Sequence, residues 1–195
     1  MENRLPITSE AANSAVASGL QAAGVVLAGS ALVALCSHIA VPLWFTPVPL
    51  TLQPFAVLLL GLILSPRLAA ATLGAYLLEG AAGLPVFAPG FALGGGLAHL
   101  LGPTGGYLMS YPASAALVSS LRGRFKRGVT GAVLSAAAGN AVILLCGFVW
   151  LAVWTHAAVG SAFALGVLPF LPGDALKVVA AAGIVSGLDR IRRNR

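Results

Sequence analysis

Charge is what this sequence has least of. Of its 195 residues, 8% are Asp, Glu, Lys or Arg while 58% are apolar, and the mean hydropathy is +0.96. Soluble domains carry about 25% charged residues, so a soluble fold is excluded and a polytopic helical membrane protein is implied. With about 20 residues needed per span, five to seven spans consume the chain and leave no room for a separate soluble domain.

Other absences narrow the chemistry. There is no G-x-x-x-x-G-K-[ST] loop and no Gly-Lys dipeptide, so any dependence on ATP must come from a partner. His38, His99 and His156 lack an H-E-x-x-H or i,i+4 partner, and G-x-S-x-G is missing, so neither a metal nor a cofactor is expected and an enzyme is a weak reading. Only two cysteines occur, Cys36 and Cys146, both in apolar segments, where they read as small buried hydrophobes. Residues 1–19 hold two acids and no basic start followed by a compact apolar run, so the first helix is expected as a retained span.

What is present gives an all-α expectation: a polytopic membrane protein built as a bundle of six transmembrane helices with partly re-entrant outer loops. Six helices are predicted over 20–41, 55–64, 68–80, 107–121, 129–154 and 174–188. Residues 1–19 form an N-terminal cytoplasmic segment, 20–189 the membrane domain and 190–195 a basic tail. The stretch PLWFTPVPLTLQP ends the first helix because proline removes a donor and clashes with the preceding turn. Spans two, three and six are short for a core of about 30 Å. The segment from Gly80 to Gly106 holds nine of the 24 glycines, which argues against one straight helix there.

The basic residues give an orientation. Arg4, Arg67, the cluster Arg122, Arg124, Lys126 and Arg127, and the terminal Arg190, Arg192, Arg193 and Arg195 all fall on one side of a six-span layout. Both termini are then cytoplasmic. The net charge of +6 is this positive-inside signal rather than a nucleic-acid patch.

Three ionisable residues stand apart: Glu79, Asp174 and Lys177. A charge inside a spanning segment costs roughly 2.5–3.5 kcal/mol on insertion scales, so each is a functional candidate by default. Asp174 and Lys177 are three apart and share a helix face, offering an acceptor and a donor to one small volume, which suits a polar neutral group such as a cyclic urea. Equally, Asp174 could cap the last helix with Lys177 pairing to it or snorkelling. Glu79 falls at the outer end of the third helix, either with them or as a solvated helix-end carboxylate. Thr51 and Gln53 add hydrogen-bonding groups in the first outer loop, and Trp44, Phe45, Phe87 and Phe91 are candidates for an apolar wall or for interfacial anchors.

Four strings occur in order: P-V-P-L-T-L-Q (Pro47 to Gln53), Y-L-L-E-G-A-A-G-L-P-V-F-A (Tyr76 to Ala88), G-P-T-G-G-Y (Gly102 to Tyr107) and L-P-G-D-x-x-K (Leu171 to Lys177). Together they resemble the BioY family, the biotin-specific substrate-binding subunits of energy-coupling-factor transporters, over about Ala31 to Arg190. The resemblance implies a prokaryotic cell-membrane subunit that captures biotin with high affinity at the outer face. It works with a transmembrane coupling subunit and a pair of ATP-binding-cassette ATPases, tilting in the bilayer to release biotin inside. On the matching positions, Asp174 would accept from a ureido N–H and Lys177 would donate to the ureido oxygen. Glu79, Gln53 and Tyr107 would complete the site, and the loop Leu84 to Gly96 would close over it. Biotin's carboxylate would meet water, backbone N–H groups or a hydroxyl such as Thr104.

The family's first helix docks on the coupling subunit through small residues four apart, here Gly24 with Ala28 and Ser30 with Ala34. Gly131, Ser135 and Gly139 form a second small-residue stripe that bundle packing explains equally well. The residues leave open a subunit or facilitator for another small vitamin, and a non-binding assembly subunit of a membrane complex.

Overall fold

A computed structural model describes residues 7–89, 96–125 and 128–194, with side chains from residue 16 onward. The described chain is mostly helical: α1 (Ile7–His38), α2 (Gln53–Ile63), α3 (Pro66–Ala81), α4 (Leu97–Leu100), α5 (Gly105–Arg124), α6 (Val129–Thr155), α7 (Val159–Gly166) and α8 (Leu171–Arg193). The proline-rich stretch after α1 is a small antiparallel hairpin, β1 (Ala40–Val41) with β2 (Leu50–Thr51), in which Ala40 faces Thr51. Prolines open α2, α3 and α8 at their first turns, where the missing N–H costs nothing and the fixed φ suits the helix.

Each of the six predicted segments is helical over most of its length, and two helices lie where the pattern predicts none. These are α4, one turn in the glycine-rich segment, and α7, eight residues between α6 and α8. Both are too short to show a period. Among the described residues, three helical stretches are long and apolar enough to cross a membrane: Val16–His38, Val129–Thr155 and Leu171–Arg193. The 11 residues of α2 rise only about 16 Å, well under a bilayer core. Leucines and valines stand out on the outer faces of the long helices, among them Leu35, Leu145, Val153 and Leu176. An apolar exterior of this kind is what lipid contact requires.

The bundle is tight at α5 and α6, which form the most extensive helix pair. Gly139 makes the approach possible: a Cβ there would run into Val118, and the Ser114 hydroxyl donates to the Gly139 carbonyl at 2.8 Å. The stripe of Gly131, Ser135 and Gly139 is therefore buried inside the bundle. One apolar cluster, with Leu58, Val118, Ala136, Ala181 and Val185, joins α2, α5, α6 and α8; a larger one, with Val33, Tyr76, Tyr107, Ile143 and Phe170, packs around the cavity.

Candidate functional site

The start of α8 carries the chemistry. Its first turn is Leu171-Pro172-Gly173-Asp174, and the Asp174 backbone N–H is paired with the Phe170 carbonyl at 2.8 Å. The carboxylate does not cap the helix. It accepts from Lys177 Nζ on Oδ1 at 2.8 Å and from Asn140 Nδ2 on Oδ2 at 3.2 Å, and Asp174 and Lys177 are 4% and 8% exposed. These contacts exclude capping and snorkelling and leave the pair joined to each other. A carboxylate in the first turn of a helix also gains from the helix dipole.

The pair lines a cavity that is partly open to solvent. Gln53, Thr51 and Thr104 add polar groups to its wall; Tyr107, Tyr111, Ile143 and Phe170 supply apolar area. Gln53, at the first turn of α2, is 4% exposed; its Nε2 donates to the Tyr76 hydroxyl, and its Oε1 accepts from Thr51 at 3.3 Å and weakly from Tyr111 at 3.4 Å. The Tyr76 hydroxyl donates in turn to the Val86 carbonyl at 3.0 Å, so the cavity wall holds the start of the 84–96 loop. Tyr107 contributes its ring, because its hydroxyl donates to the Gly166 carbonyl at the end of α7 at 2.6 Å. Thr46 holds the adjacent Leu165 carbonyl at 2.9 Å, and together these bonds fix α7 beside the cavity.

Four of the five expected binding residues, Asp174, Lys177, Gln53 and Tyr107, therefore line one cavity. Glu79 does not line it. It is turned toward α1, where the Ser30 hydroxyl donates to its Oε1 at 2.9 Å. The next residue, Gly80, lies against the Phe87 ring, which would collide with any Cβ there. Ser30 is correspondingly 2% exposed, and Ala34 packs against the core, so this docking pair faces inward. Gly24 and Ala28 remain on the exposed face of α1. Trp44 is 93% exposed and neither it nor Phe45 lines the cavity. Phe87 packs edge-on to Tyr76, one layer behind the wall. Phe91, and residues 90–95 of the loop expected to close, lie outside the described residues.

Sequence reasoning missed three contributors. Asn140 gives no motif signal, since it sits alone in an apolar helix; Tyr111 reads as an ordinary core aromatic. His99, set aside for want of a ligand partner, lines the cavity and packs against Phe87 at 5.0 Å between ring centroids. Burial holds its pKa below the ordinary histidine value of 6.5, so the ring is neutral at pH 7. Among the described residues no group of three metal-ligating side chains is found.

Residues 8–194 match the family model described as "BioY family". The chain is 43% identical over 142 residues, 73% of its length and 81% of the relative's, to a probable biotin transporter BioY of Pyrococcus horikoshii. It is 34% identical to the biotin transporter BioY of Thermotoga maritima, over 85% of this chain and 94% of that one. Among solved structures it resembles the S-component for biotin from an ECF-type ABC transporter, with a TM-score of 0.79 at 24% identity, covering 89% of this chain and 93% of that one. At that identity the likeness concerns the fold.

Proposed function

The chain belongs to the BioY family, and on that premise we propose that it is the biotin-binding membrane subunit of an ECF-type transporter, with its site at the start of α8. The observation that carries the reading is the buried Asp174–Lys177 pair on the cavity wall. An ion pair so placed gains little net stability, because desolvating two charges offsets their attraction. Its value lies in what it offers a ligand. Asp174 presents acceptor lone pairs, and Lys177, with three donors and one in use, presents N–H groups. A cyclic urea matches this pair with an N–H donor and a carbonyl acceptor on one rigid edge. The ring faces of Tyr107 and Phe170 suit a thiophane ring and an aliphatic chain. Thr104, on the same wall, is the hydroxyl for the carboxylate, and Gln53 stiffens the entrance through Tyr76 and Val86.

Delivery follows the family's pattern: release inside depends on a coupling subunit and a pair of ATP-binding-cassette ATPases, a dependence with which the absence of a P-loop from this sequence agrees. The exposed small residues Gly24 and Ala28 are the docking face on α1, where close backbone approach is possible. In this reading residues 20–189 form the six-helix membrane domain of a cell-membrane protein. Both termini are cytoplasmic, because the arginine-rich ends of α5 and α8 lie on that side.

The test is a titration of the purified, detergent-solubilised protein with biotin, followed by calorimetry or by fluorescence of Trp150 and Trp154. These residues donate to the Gly102 and Leu101 carbonyls, two and three residues ahead of Thr104 of the cavity wall. Saturable one-to-one binding that is lost in Lys177→Ala is expected. Folded protein that shows no saturable binding would overturn the assignment.

A further inference from the structure

Behind the cavity wall, the bonding of Asn140 is incomplete. It is 7% exposed, its Nδ2 donates to Asp174 Oδ2 at 3.2 Å, and its Oδ1 is buried with no partner among the described residues. The orientation of the amide is set by its neighbour: an ionised carboxylate only accepts, so the N–H₂ end must face Asp174 and the oxygen must point away. A buried acceptor left without a donor weakens the fold. The arrangement therefore spends stability to keep Asp174 in one state.

We propose that Asn140 is a positioning residue that sets ligand selectivity through Asp174. The inference rests on the biotin reading above. Lys177 takes a lone pair on Oδ1 and Asn140 takes one on Oδ2. The carboxylate is thereby fixed in rotation, with its remaining lone pairs available to a ligand N–H. A site so arranged demands a donor from the ligand and rejects one whose corresponding nitrogen is blocked. Asn140 does not itself line the cavity. It sits one layer behind, on α6, which brings it to α8 across 34 residues of sequence.

The experiment compares wild type, Asn140→Leu and Asn140→Asp for thermal stability and for binding of biotin and of a biotin methylated on a ureido nitrogen. Asn140→Leu removes the orphaned oxygen together with the bond to Asp174. Relief of the orphaned oxygen and loss of the donor to Asp174 Oδ2 oppose each other in its melting temperature, while biotin binding should weaken about tenfold or more, the worth of a hydrogen bond to a charged group. Its preference for biotin over the methylated analogue should narrow. Asn140→Asp places two carboxylates side by side, whose repulsion at pH 8 is relieved once one takes a proton. Its binding should be poor at pH 8 and recover toward pH 5, where the introduced carboxyl group, once protonated, again donates to Asp174.

The other titratable groups facing this point are Lys177 on α8, Tyr107 and Tyr111 on α5, and His99 at the cavity wall. The wild-type pH profile corrects for them. Wild-type affinity, an unchanged analogue ratio in Asn140→Leu and no acid recovery in Asn140→Asp would overturn the proposal while leaving the biotin reading intact. Failure of the wild-type protein to bind biotin would overturn both.

Discussion

Asp174→Asn separates the two roles of the α8 carboxylate, because it keeps the shape and removes the charge. In the folded protein this carboxylate is 4% exposed and satisfies two donors, Lys177 at 2.8 Å and Asn140 at 3.2 Å. Without it the Lys177 ammonium, itself 8% exposed, has no counter-ion. Leaving one partner of a buried pair uncompensated costs about 3–5 kcal/mol, so Asp174→Asn should lower the melting temperature. Binding should suffer separately: a bond from the ligand to a charged acceptor is worth about 1.5–3 kcal/mol, and at about 1.4 kcal/mol per decade the dissociation constant should rise roughly ten- to hundredfold. The double variant Asp174→Asn with Lys177→Met distinguishes the effects, since it removes the stranded cation without restoring the acceptor. Thermal denaturation should show the double variant recovering toward wild type, while calorimetric titration with biotin shows binding still lost. A single variant that binds within about twofold of wild type would refute the reasoning.

Other outcomes follow from contacts elsewhere. Tyr107→Phe strands the Gly166 carbonyl now accepting at 2.6 Å and should destabilise the protein by about 1–3 kcal/mol in chemical denaturation, with a smaller effect on biotin affinity. Gly147→Val puts a branched side chain into the Tyr107 ring across the α5–α6 contact, so a loss of about 1–3 kcal/mol or more is expected, read as reduced yield of monodisperse protein. Gly24→Leu with Ala28→Leu should leave biotin binding by the isolated subunit unchanged yet abolish uptake in cells carrying the coupling module; uptake at wild-type level would remove α1 from the docking face. Because His99 is held below its ordinary value of 6.5, the unfolded chain takes up a proton that the folded one refuses as pH falls through that value. Stability should therefore decrease as pH is lowered from about 7.5 to about 5.5, and melting curves of His99→Gln should show less of that decrease.

The placement of Asp174 and Lys177 was legible because their geometry is local. Residues three apart on a helix meet on one face whatever the bundle does, and the 2.8 Å bond needs no tertiary information. Glu79 illustrates the opposite case. Its helix end was readable, but whether it joined the cavity depended on how α3 is rotated against α1, and Ser30 rather than the site receives it. The same rotation turned Ser30 inward while leaving Gly24 and Ala28 exposed, although all three lie on one small-residue helix.

The sequence by itself determined the membrane class, the six principal helical segments and the acid–base pair that opens α8. Composition, proline and glycine punctuation and i,i+3 spacing act over short distances and survive any arrangement of the helices. Tertiary structure alone decided that Asn140 meets Asp174 across 34 residues, that Gln53 joins Tyr76 across 23, and that His99 reaches the cavity. The physical reason lies in the solvent: helices that face lipid outside and protein inside are apolar on both faces, so their sequence period does not mark which side turns inward. That choice falls to close contacts between small residues and to the few polar groups that must find partners, which exist only once the bundle has formed.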